Sequence, residues 1–256
     1  MKPYLKEFRY LKVYYFLIPL LIAACYLFFH FARPELVILV GKEDSVFEWL
    51  SFICLECASI TYFLCFKKYR NYFFILLALL MFFAAGEEIS WGQRVLSFTT
   101  PDAIKKINTQ GEFTIHNLEI FSGKQFDHQK RRGVYRLLEM DLWFKVFIFS
   151  FGIILPLATY HLKSFAAFTR KIKMPIPPIS IGIFFLLAWI VRGFAFDNIA
   201  LPQSESLRQF YMLRFAATEI FEFLAELILF VISLYFYKMK FGDFIGKDVK
   251  QLLLFK

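Results

Sequence analysis

Residues 215–237 read FAATEIFEFLAELILFVISLYFY. The stretch carries no lysine or arginine and is apolar almost throughout. As a helix it is long enough for the ~30 Å hydrocarbon core of a bilayer, which takes about 20 residues to cross. Three carboxylates interrupt it: Glu219, Glu222 and Glu226. Their i, i+3, i+7 spacing puts all three on one helical face with Thr218, opposite a lipid-compatible face of Phe, Leu and Ile. A membrane helix with a polar stripe sets the fold class and marks where function is to be sought.

The rest of the 256-residue chain has the same character. It is 59% hydrophobic and 21% aromatic, with 36 Phe and a mean hydropathy of +0.54, more apolar than soluble domains. A secreted disulfide scaffold, a soluble doubly wound enzyme and a disordered regulator are excluded. The expected fold is all-α: a polytopic membrane protein with about six transmembrane helices, forming a single integral membrane domain over 1–256. The spans fall near 13–31, 46–66, 72–95, 142–160, 179–196 and 215–237. Helices are required because only they satisfy the backbone of an open segment in lipid. The first apolar run follows Lys2, Lys6, Arg9 and Lys12 as a signal peptide would, but it is long and lacks a small-x-small cleavage pattern, so it reads as an uncleaved helix.

The net charge of +9 is read through its placement, and nucleic acid is not an expected partner. Sixteen of the 30 Lys and Arg fall in alternate segments: before the first span, at 67–70, at 163–173 and after Tyr237. The positive-inside rule then puts both termini in the cytoplasm, with the plasma (inner) membrane as the expected location. One extended extracytoplasmic loop, 96–141, remains. Thr99-Thr100-Pro101-Asp102 predicts a short helix start there, Gly111 an end, and the mix of apolar and basic residues around Val134 to Leu138 an amphipathic segment.

Charged residues inside a membrane are costly and tend to face a partner or a water-filled cavity. Glu48 begins the second span, Gly86-Glu87-Glu88-Ile89-Ser90-Trp91-Gly92-Gln93-Arg94 ends the third, Arg192 and Asp197 end the fifth, and Glu219 and Glu222 begin the last. The topology brings them all toward the outer leaflet, where His116 and Asn117 of the loop join them. A polar cavity opening outward is expected. Carboxylates at similar depth can act as general acid and general base, so Glu87, Glu88, Glu219, Glu222 and His116 are the candidate catalytic residues. Carboxylates with one imidazole also suit a divalent cation, with Glu88, His116 and Glu222 as its ligands; the metal's identity stays open. Arg94 and Arg192 suit an anionic headgroup, and Trp91, Glu48 and Asn117 complete the substrate-binding set.

Other patterns lead nowhere. Cys54-Leu55-Glu56-Cys57 has redox-like spacing but sits mid-span, and all four cysteines read as reduced packing residues. Ser90 with His116 and a Glu lacks the elbow of a hydrolytic triad, and there is no zinc, Walker or dinucleotide motif. The expected function is that of a membrane-embedded hydrolase or transferase acting on a membrane lipid or lipid-linked substrate. A proton- or cation-coupled transporter, with Glu56 and Glu226 as a proton route, and a non-catalytic assembly factor are the alternatives. Oligomeric state is not legible.

Overall fold

The computed structural model of the protein describes residues 3–42, 45–122, 133–197 and 207–240; the side chains of 3–12, 94, 133, 195–197 and 207–208 are outside that description. Among the described residues the protein is all-helical, without a strand. Helix α1 covers Pro3–Phe31, α2 Pro34–Gly41, α3 Val46–Tyr69 and α4 Tyr72–Glu88. Short helices α5 (Gln93–Leu96) and α6 (Asp102–Lys105) follow in the loop, then α7 (Met140–Phe149), α8 (Leu155–His161), α9 (Lys163–Lys171), α10 (Ile179–Asp197) and α11 (Leu207–Lys238). Four stretches are long and apolar enough, by length and composition, to cross a bilayer: Val13–Phe31, Pro34–Tyr69, Met140–His161 and Gln209–Lys238. Helix α4, with 17 residues, and the apolar part of α10, Ile179–Phe194, are shorter.

Helices α3 and α4 form a hairpin because the two residues between them close a helix and open the next. Arg70 adopts the left-handed conformation (φ 53°) and its N–H reaches Phe66 O, while the Asn71 side chain accepts from Phe73 N at 3.0 Å. Helix α11 packs against the hairpin. Leu55, Ala58, Tyr62, Phe74, Ile228, Ile232 and Phe236 of these three helices have no exposed surface. Tyr62 and Phe74 stack with ring centroids 6.3 Å apart, and Phe236 meets Phe74 edge-on at 5.5 Å. Ser59 Oγ donates to Ala78 O at 2.9 Å across the hairpin, the kind of interhelical polar link that membrane helices use. The last carbonyls of α11 are met by α3: Tyr69 Oη donates to Phe236 O at 2.9 Å and Lys68 Nζ to Tyr237 O at 2.5 Å.

On the other side of α11 stands α10, and on α10 stands α1, where Tyr15 Oη and Ser180 Oγ hydrogen-bond at 2.6 Å. Phe16, Leu20, Leu27 and Phe31 of α1 are exposed, as residues turned to lipid would be. Two glycines set the spacing of α10 against α7–α8. A Cβ on Gly182 would lie 1.8 Å from Gly152 O, so the two backbones touch, as small residues allow in membranes. Gly152 lies within a π-helical turn, Ser150–Ile154, whose end is closed by Leu155 N–H donating to Ser150 O, just ahead of Pro156, which has no N–H to give the carbonyl four residues before it.

The structure corrects the third span. Its helix stops at Glu88, not near residue 95, because Ser90, Trp91 and Gly92 are all left-handed. It also adds α2 and α9, neither of which the apolar windows predicted.

Candidate functional site

The site lies at the end of the bundle that carries the 89–139 loop, and it starts at the break in α4. Ser90, Trp91 and Gly92 hold φ values of 49°, 51° and 80°; for residues with a Cβ this conformation costs roughly 1–2 kcal/mol each. The reversal lays the Trp91 indole back over Gly86. A Cβ on Gly86 would sit 2.9 Å from Trp91 Cε3, so glycine is what admits the ring. Phe83 meets the indole edge-on at 5.6 Å, and Trp91 Nε1 donates to Glu87 Oε1 at 2.5 Å.

Glu87 is only 6% exposed, and its second oxygen is as fully engaged as its first. Oε2 accepts from Ile115 N and His116 N at 2.8 Å each and lies 3.0 Å from His116 Nδ1. A buried carboxylate demands such compensation. The loop supplies it by folding on itself: Asn108 Nδ2 donates to Thr114 O at 3.0 Å, Asn108 Oδ1 accepts from Gln110 N at 2.9 Å, and Gly111 turns the chain at φ +73°. Gln93 fastens the same loop a second time, accepting from Phe113 N at 2.8 Å and donating to Thr100 Oγ1 at 2.9 Å. The loop is thus docked on the end of α4, and His116 reaches the carboxylates because of it.

Glu87 fixes the state of His116. Burial works to lower the imidazole pKa, but the hydrogen bond and charge of Glu87, with the more distant charges of Asp141 and Glu222, raise it above the ordinary value. With Nδ1 committed to Glu87, the imidazole presents Nε2, which makes no hydrogen bond among the described residues. Its side chain is 34% exposed.

A second group of charges lies within electrostatic range of it. Glu222 of α11 has Asp141 and Lys145 of α7, Arg192 of α10 and His116 as its electrostatic neighbours. Arg192 donates to Thr218 Oγ1 at 3.0 Å and lies over the rings of Trp189 and Phe221 at 5.4 and 5.7 Å. Below Arg192 an apolar groove runs between α1, α10 and α11, about 300 Å³ including the space open to its surroundings. Ile22, Cys25, Ala188, Ile220 and Leu224 are among its walls.

The remaining expected residues are distributed as follows. Glu48, Glu88, Glu219 and Trp91 are partly buried at the loop end. Asn117 serves the loop itself, its Nδ2 donating to Gln110 Oε1 and its carbonyl accepting from Thr109 N at 2.8 Å. The side chains of Arg94 and Asp197 lie outside the described residues. Ser90 Oγ donates to Glu112 Oε2 at 3.3 Å, not to His116. Glu226 is 3% exposed between α3 and α11, and its Oε2 has no hydrogen-bond partner among the described residues. The expected metal ligands are not brought together. Among the described residues no three His, Cys, Asp or Glu side chains gather as a metal-holding group, so Glu88, His116 and Glu222 do not form one; Glu87 takes the imidazole nitrogen instead.

Asp141 and Lys145 escaped the sequence reading. Their i, i+4 spacing at the start of a span was the available signal, but they fall where loop and helix meet. The chain matches no protein-family model, and no curated protein or solved structure is significantly similar to it.

Proposed function

We propose that the protein is a membrane-embedded enzyme, a hydrolase or transferase, that acts on a lipid or lipid-linked substrate. The observation that carries this reading is the Glu87–His116 pair: a carboxylate holds an imidazole by Nδ1, which leaves Nε2 for a substrate. A carboxylate that orients an imidazole fixes its tautomer and its aim, which is what a general base needs. His116 is the base that takes the proton of an attacking hydroxyl or water. Glu222 and Asp141 supply a proton to the leaving oxygen, and Arg192 with Lys145 balances negative charge as it develops. Glu87 is a positioning residue.

The finer topology belongs to the same proposal: six spans in a single integral membrane domain, both termini cytoplasmic, the loop outside, in the plasma membrane. Its support is the alternation of basic segments and a helix over each apolar window. A second reading, a proton-coupled carrier, draws on Glu226, buried with one oxygen unpartnered.

The test is turnover. Protein reconstituted in nanodiscs is incubated with phospholipids and polyprenyl phosphates, and products are identified by mass spectrometry. His116→Gln and Glu222→Gln each lower turnover by about 10²–10⁴, the range of general acid–base catalysis. Absence of any product with wild type, together with proton flux in liposomes that Glu226→Gln abolishes, would replace the enzyme by the carrier.

A further inference from the structure

The groove has a polar end and an apolar end, and the helix directions fix which is which. Helices α1 and α10 run toward the loop end and α11 runs away from it. Phe29, Arg192 and Ala217 therefore stand at one level of the groove wall, and Ile22, Ala188 and Leu224 at the other. The hydrogen bond from Arg192 to Thr218, next to Ala217, agrees with this order. From Ile22 to Phe29 the wall extends about 10 Å along the helix axis, seven residues at a rise of ~1.5 Å. Arg192 is the one charged side chain in a lining that is otherwise hydrocarbon, aromatic or thiol, and Glu222 and Asp141 are its electrostatic neighbours.

Resting on the enzyme reading above, we infer that the groove between α1, α10 and α11 holds the hydrocarbon chain of an anionic lipid whose phosphate headgroup is bound at Arg192. Charge complementarity selects the headgroup. Arg192 is the charge nearest the tail, with Lys145 and Arg214 as further cations around the polar cluster, and a guanidinium presents a planar fork that matches phosphate oxygens. The rings of Trp189 and Phe221 hold the guanidinium in place, so little side-chain freedom is lost on binding. The order of the walls selects a lipid over a soluble phosphate: a soluble phosphate has no use for the apolar wall between Ile22 and Phe29. Lateral entry past the exposed face of α1 delivers the headgroup to Arg192, which has Glu222 and Asp141 as electrostatic neighbours.

The experiment uses the full chain in nanodiscs and dodecyl phosphate carrying a diazirine at the tail end, with the matching dodecanol as the neutral probe. Wild type retains the phosphate probe about tenfold or more better than the alcohol, the factor that one charge-assisted hydrogen bond supplies. Photo-crosslinks map to α1 around Ile22 and Cys25 and to α11 around Leu224. Arg192→Gln removes the preference while leaving the alcohol's retention unchanged, and Arg192→Lys keeps part of it, which shows that a folded protein is being read. Equal retention of both probes by wild type, crosslinks confined to other helices, or full competition by inorganic phosphate at equal concentration would each overturn the inference. Selective binding without turnover of any lipid would leave the inference standing and remove the enzyme; turnover without selective binding would do the reverse.

Discussion

Glu87 and His116 share a single geometry but do two jobs, and pH separates them. The charged imidazole strengthens the docking of the loop, while under the proposed function the neutral imidazole is the base. The His116 pKa is raised in the folded protein. Its contribution to docking is therefore fully present below the unfolded value, about 6.5, and is lost as pH rises through the folded value. The backbone donors Ile115 N and His116 N remain on Glu87 at any pH at which that carboxylate is ionised, so the loop loosens without leaving. Amide hydrogen exchange over residues 107–119, corrected for its intrinsic pH dependence, is expected to quicken above this range. Glu87→Gln shifts the onset to lower pH by removing the anion. A corrected exchange profile that is flat between about pH 5 and pH 9 would sink this account of the pair.

At the scale of elements, close approach decides more than side-chain bulk. The polar stripe on α11 was legible because its period is local: Glu219, Glu222 and Glu226 recur at helical spacing whatever else the chain does. The end of α4 was not legible. The apolar and small residues after Glu88 continue a plausible helix, and the break exists because Trp91 folds back over Gly86 and the loop arrives from more than twenty residues away to bond Glu87. Likewise Gly152 and Gly182 look ordinary in sequence, yet a Cβ on Gly182 would lie 1.8 Å from Gly152 O. Gly182→Ala is thus expected to push α10 from α7–α8 and to destabilise the protein by about 3 kcal/mol or more, at the upper end of overpacking costs. Gly193, on the same helix with nothing within 4 Å of where a Cβ would stand, is the control, and Gly193→Ala shifts stability by about 1 kcal/mol or less. Thermal unfolding in detergent measures both. Equal effects at the two positions would mean that the glycine contact does not hold α10 in place.

For the molecule as a whole, the sequence showed an all-helical chain with stretches apolar enough to cross a membrane, since composition and window length are properties of single segments. It did not show the partnerships. Glu88 and Glu222 looked as suitable as Glu87 for engaging His116, and only the docked loop assigns the imidazole to Glu87. Asp141 and Lys145 enter the cluster by tertiary position alone. Orientation is the property that the proposed function depends on most. With the loop outside, a membrane-impermeant thiol reagent labels a cysteine introduced at exposed Val134 in intact cells, whereas one introduced at exposed Lys240 is labelled only after permeabilisation. The opposite pattern would invert the protein and put its chemistry on the cytoplasmic leaflet.

The contacts that build the site also differ in when synthesis makes them possible. Glu87 and His116 are 29 residues apart, whereas Tyr15 of α1 must wait 165 residues for Ser180 of α10, and α11 follows later still. A ribosome that has released α4 and the loop has already supplied everything the Glu87 clamp needs. The nascent chain can therefore set its imidazole before the groove between α1, α10 and α11 exists, so the half-made protein carries an oriented His116 with that groove still to be built.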